Sequence, residues 1–216
     1  MGKEKEYNEI RETYYECRNF EINNLWQKSV LLTAFIVLIF TVYSTIVQKL
    51  FDENLTIKAI NLIHEICAGI SLIGLIFAIV WIMMGKGSKA WYELYENAIW
   101  NIEREKKIGI PEKYAMGRAK TFSTPDENIF SNKGGKYSPS KLNIFIGQII
   151  MFIWTIIFII HTYNIIKNLI LKIKQEQISS LDFIVPSILV ISIIIIYITA
   201  ILNKWASSSF LIELEE

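Results

Sequence analysis

The sequence predicts an all-α membrane protein with four transmembrane helices, and three observations carry that expectation. Apolar residues are gathered into four uncharged blocks, 29–48, 66–85, 142–166 and 183–203. Each block holds 20 to 25 residues, enough for a helix to cross a hydrocarbon core of roughly 30 Å. None shows the polar residue at every third or fourth position that gives a soluble helix its wet face. Lysine and arginine are also unevenly shared. Segments 1–28, 86–141 and 204–216 carry seventeen of them, against five in the loops 49–65 and 167–182. That bias puts both termini and the central loop in the cytoplasm.

The organisation that follows has five parts. Residues 1–28 form a cytosolic amphipathic helix and 29–85 hold the first two spans. Residues 86–141 form a cytosolic helix and loop, 142–203 hold the last two spans, and 204–216 form an acidic tail. The start of the chain lacks a cleavable signal pattern. Glu6 stands where a myristoylation signal wants Ser or Thr. The first block therefore reads as a retained anchor. A net charge of +1 gives no electrostatic case for nucleic acid. Cys17 and Cys67 fit neither a metal spacing nor a disulfide framework, and no cofactor is expected.

In the first segment, Ile10, Tyr14 and Cys17 make one stripe, and Tyr15, Arg18, Ile22, Leu25 and Trp26 make another. The helix is expected to lie on the membrane or pack on a neighbour, with Trp26 at the interface. Tyr14, Arg18, Asn19, Phe20, Glu21 and Trp26 are its candidate motif, a surface for self-assembly or a cytosolic protein partner.

The second block carries Cys67, Ser71, Gly74 and Ala78 at i, i+4, i+7 and i+11. Small residues on one face let helices approach closely where lipid offers no hydrophobic drive. This seam suits packing within one copy or between copies, or a pore lining. The only histidines, His64 and His161, fall near the expected outer ends of spans two and three, with Asn61 and Glu65 close to the first. Ionisable groups at membrane depth mark hydrogen-bonded interfacial sites or ion and proton paths. His64, Glu65 and His161 are therefore the candidate ion or proton site.

Past Gly85 the period changes. Trp91, Leu94, Tyr95, Ala98 and Ile102 form an apolar stripe, and Lys89, Glu93, Glu96, Asn97 and Glu103 populate the other faces. This amphipathic helix continues span two past a joint softened by Gly85 and Gly87. The Gly-Lys-Gly-Ser-Lys run is not a phosphate loop, because Val80 stands where the first glycine belongs. Residues 109–140 read as loop. Ser138-Pro139-Ser140-Lys141 then opens the third span with a serine cap, a proline at the first helical position and a basic anchor.

Three stretches together carry a family resemblance. They are Tyr14 to Ile22 running on to Ser29, then Gly87-Ser88-Lys89-Ala90-Trp91 with Glu96 and Glu103, then Ser138 to Leu142. In order and spacing they resemble the RipA-type bacterial inner-membrane proteins. The resemblance implies a homo-octamer in the cytoplasmic membrane. It makes Gly87, Ser88, Lys89, Trp91, Glu96 and Glu103 a cytosolic assembly motif. Leu94-Tyr95 departs from the asparagine–tryptophan pair expected of the family.

The function expected is that of a lipid-embedded homo-oligomer with a pore, channel-like or scaffold role in stress, host adaptation or phage defence. Catalysis is not expected, since no nucleophile–base pair or carboxylate pair falls at one depth. A secondary transporter is the alternative, although the halves share no repeated motif of the kind that supports one.

Overall fold

A computed structural model describes residues 2–104, 108, 110, 111 and 137–174. Regular structure among them is helical: α1 (Gly2–Val47), a short 3₁₀ turn (Gln48–Phe51), α2 (Ile57–Arg104) and α3 (Pro139–Lys174). All three α-helices are long and apolar enough to cross a membrane. The expected fourth span 183–203, the tail 204–216 and most of the 109–140 loop lie outside the described residues.

Two neighbouring pairs of segments that the sequence divides between cytosol and membrane run on as continuous helix. The 1–28 segment and the first span are one helix, because no glycine or proline interrupts the chain between Gly2 and Val47. The joint expected at Gly85 and Gly87 is likewise continuous helix within α2. Each glycine costs a helix about 1 kcal/mol against alanine, too little to stop it when no proline follows. The α1–α2 turn has local chemistry: the Asn54 amide donates to Asp52 Oδ1 at 3.0 Å, and the Ala59 amide to Thr56 Oγ1 at 3.3 Å. Thr56 thus caps the start of α2.

The chain forms two compact units, 1–34 with 80–148 and 35–79 with 149–216. In the first, Leu25, Leu32, Trp81 and Ile99 are buried. A Cβ on Gly85 would lie 3.0 Å from Ile144, and one on Gly147 would lie 3.0 Å from Ile82 and 3.1 Å from Trp81. In the second, Cys67, Ala68, Ser71, Ala78 and Trp154 are fully buried. Ala68 and Ile165 form a buried pair there, backed by Phe158, Ile166 and Leu169.

Candidate functional site

The first unit holds a polar junction between α1 and α2. Arg11 Nε donates to Glu103 Oε1 at 2.7 Å, and Tyr15 donates to the same oxygen at 3.3 Å. Seven residues further along α1, Arg18 meets Glu96 at 2.8 Å, seven residues back along α2. A rise of seven answered by a fall of seven is the register of two antiparallel helices meeting on a coiled-coil-like repeat. Glu103 is only 2% exposed, which corrects its expected place on the wet face. Its carboxylate is buried because Arg11 and Tyr15 supply donors there.

Burial pulls the Arg11 guanidinium down, but the hydrogen bond and charge of Glu103 outweigh it and hold Arg11 above its ordinary value. Burial, then the Glu103 charge, raise the Tyr15 phenol. Glu103→Ala removes the acceptor that both donors use, while Arg11 stays partly solvated with a quarter of its side chain exposed. The expected loss is about 1–3 kcal/mol, with Glu103→Gln retaining part of it. A titration from mild detergent into SDS reads both.

Deeper in the same unit a single oriented chain of hydrogen bonds joins α1, α2 and α3. Trp81 Nε1 donates to Asn143 Oδ1 at 2.6 Å, Asn143 Nδ2 donates to Ser29 Oγ at 2.5 Å, and Ser29 donates to the Leu25 carbonyl at 2.7 Å. Only one orientation of the Asn143 amide satisfies this series. Near the start of α3, Tyr92 bonds to Ser140 Oγ, which lies 3.0 Å from Ser138 Oγ. The serine motif therefore ties α3 to α2 as well as opening the helix.

The second unit has a different cluster. Tyr43 Oη lies 3.0 Å from His161 Nε2, and His161 Nδ1 lies 2.8 Å from His64 Nδ1. The Tyr43 ring stands edge-on to both His161 and Trp154. Trp154 stacks on Phe40 with ring centres 4.3 Å apart. Two turns beyond His161, Asn168 bonds to Asn61. Trp154 Nε1 and Thr162 Oγ1 are buried without a hydrogen-bond partner among the described residues.

The sequence-chosen residues separate into three groups. Cys67, Ser71, Gly74 and Ala78 are buried inside the chain, with Gly74 against the Trp154 ring. That face packs within one copy. Of the cytosolic motifs, Arg18, Glu96 and Glu103 form the junction, and Arg18 also reaches Asn19. Lys89 pairs with Glu93, Trp91 stacks on Tyr95, Tyr14 meets Tyr95, and Ser88 is buried. Gly87 has open space around it. Phe20 and Trp26 are exposed at 65% and 52%. Glu21 lines a surface groove with Glu16, Cys17, Phe20 and Tyr95. His64 and His161 meet each other, and Glu65, the next residue after His64, is half-buried. Among the described residues no three His, Cys, Asp or Glu side chains are grouped to hold a metal ion.

Asn143, Trp81, Tyr43 and Trp154 were missed in the sequence. One signal points to part of this set: Ser140, Gly147, Trp154, His161 and Asn168 stand at every seventh position of α3. Each of the five meets a residue of α2, namely Tyr92, Trp81, Gly74, His64 and Asn61 in turn.

The family described as "Octameric membrane protein family (8xMP)" matches residues 8–163, nearly three quarters of the chain. The chain belongs to this family. The matched stretch of the octameric membrane protein family contains all the Arg–Glu pairs of the junction, the Asn143 chain and the Tyr43–His161–His64 cluster. Family membership and three apolar helices make it a multi-pass, homo-oligomeric membrane protein. No curated protein and no solved structure matches the chain.

Proposed function

We propose that eight copies of this chain associate in a bacterial inner membrane chiefly through α1, leaving a channel-like path between copies. The reading is non-enzymatic, with both termini and the central segment on the cytoplasmic side. The observation that carries it is the outer face of α1. Among the described residues only 11% of its apolar window is buried, against 39% for α2 and 17% for α3. That exposed face presents Thr33, Thr41, Ser44 and Thr45. The polar groups of α2 and α3 described above turn inward and bond within the chain, so α1 holds a hydroxyl-bearing surface free for other copies. Serine and threonine are common where membrane helices meet or enclose water.

Thr33, Thr41 and Thr45 each donate to the carbonyl four residues back. Their oxygens still accept, from a neighbouring helix or from water. The charge asymmetry of the loops supports the orientation. The groove beside Phe20 and Tyr95 suits a further contact on the cytoplasmic face, with another copy or a soluble protein.

Cysteines at Thr41 or Ser44 are expected to cross-link one copy to another in the membrane, and cysteines at the buried Ala68 are not. Liposomes carrying the protein are expected to leak small ions, and Thr41→Leu to reduce the leak. Cross-links without leakage at any voltage or pH would turn the reading to a scaffold. No cross-links at α1 would remove it.

A further inference from the structure

The pair His64 and His161 has an unusual contact: Nδ1 faces Nδ1 at 2.8 Å. Two such nitrogens bond only when one proton lies on the line between them, since two would collide and none would repel. His161 is 2% exposed, and its other nitrogen meets the Tyr43 hydroxyl at 3.0 Å. The neutral cluster therefore has two satisfied forms. In one, Tyr43 donates to His161 Nε2, His161 Nδ1–H donates to His64, and His64 carries its remaining proton on Nε2. In the other, His64 Nδ1–H donates to His161, His161 Nε2–H donates to Tyr43, and His64 Nε2 offers a bare lone pair. Adding one proton there gives a third form that keeps both contacts of the cluster. The axis proton stays, both Nε2 atoms carry hydrogen, and Tyr43 accepts. A second added proton would put hydrogens on both Nδ1 atoms and break the contact.

We propose that Tyr43, His161 and His64 form a proton-binding site that takes up one extra proton per chain and shares its charge across both rings. His64, half-buried where His161 is sealed, is the group through which the proton arrives. Uptake removes the form in which Tyr43 donates and fixes Tyr43 as acceptor, so α1 registers a proton bound between α2 and α3. Tyr43 faces the pair from α1, and Cys67 lies one turn from His64 on α2. On α3, Thr162 follows His161. The charged residues nearest along the chain are Glu65 beside His64, Lys58 on α2, Lys167 on α3 and Lys49 just past α1. The site is independent of the number of copies and of any conducting path.

The chain has only two histidines, so labelling histidine with the heavy nitrogen isotope in the untagged, full-length protein reports this pair alone. Solid-state NMR in lipid bilayers is expected to show a coupling between the two Nδ1 atoms at neutral pH. On acidification both rings should shift together in a first step that keeps the coupling, then lose it in a second. His64→Gln should leave His161 with a single transition. Tyr43→Phe should keep the coupling and move the joint step to lower pH, because the charged form loses its acceptor. Two rings titrating separately near the ordinary histidine value of about 6.5, without coupling, would overturn the site. A joint step unmoved by Tyr43→Phe would overturn the part given to Tyr43.

Discussion

Gly74→Leu is expected to destabilise the protein by about 3 kcal/mol, at the upper end of what overpacking a core costs. A Cβ at this position would sit 2.4 Å from two carbons of the Trp154 indole and 2.7 Å from its nitrogen. Ordinary contact begins near 3.5 Å, so the ring would have to move by about an ångström. It has little room, being fully buried, stacked on Phe40 and met edge-on by Tyr43. Gly74→Ala should be milder, because it brings only the Cβ against the ring, and about 1 kcal/mol of helix propensity over glycine offsets part of that clash. Gly69 and Gly87 are the controls, since nothing lies within 4 Å of a Cβ at either. Alanine there is expected to be neutral or to stabilise by about 0.5–1 kcal/mol. SDS titration of the four variants ranks them. Equal effects at positions 69, 74 and 87 would show that Trp154 does not rest on Gly74.

Asn143→Leu carries the second large effect. Leucine has a similar volume, so the loss is polar rather than steric. Trp81, 4% exposed, keeps an N–H that has lost its acceptor, and Ser29 loses the donor from Asn143 while keeping its bond to Leu25. An orphaned buried donor costs about 1–3 kcal/mol, whereas hydrogen bonds between membrane helices average only about 0.6. Asn143 is 5% exposed and joins three helices at once, which favours the larger figure. The discriminating measurement is a double-mutant cycle with Trp81→Phe. The second change should cost less in the Asn143→Leu background, with a coupling of about 0.5–1.5 kcal/mol. Strict additivity would mean that the indole and the amide do not depend on each other.

The membrane class was legible because lipid imposes one simple demand, a long uncharged run, and three of the four runs lie in α1, α2 and α3. The small-residue seam was legible for a related reason, as its spacing follows the helical period. Glu103 was not. An amphipathic pattern assigns a glutamate to water, and only the partner 92 positions away makes burial tolerable. Ion pairs between distant segments leave no local trace. The five residues at every seventh position of α3 escaped for another reason. Serine, glycine, tryptophan, histidine and asparagine share no charge, size or hydropathy, so a search by residue class does not group them. They share a position, and what each needs is supplied by α2. The continuation of span two into the central amphipathic helix was legible too, because two glycines without a proline leave α2 continuous.

The proposed role of α1 requires the chain to be one subunit of an octamer held together in lipid. Native mass spectrometry of the protein released from nanodiscs or mild detergent measures that directly. A single species of eight chain masses, lost when the exposed face of α1 is disrupted and kept when Phe152, an exposed side chain of α3, is changed to alanine, is the predicted result. A monodisperse monomer or dimer from the same preparation would contradict it.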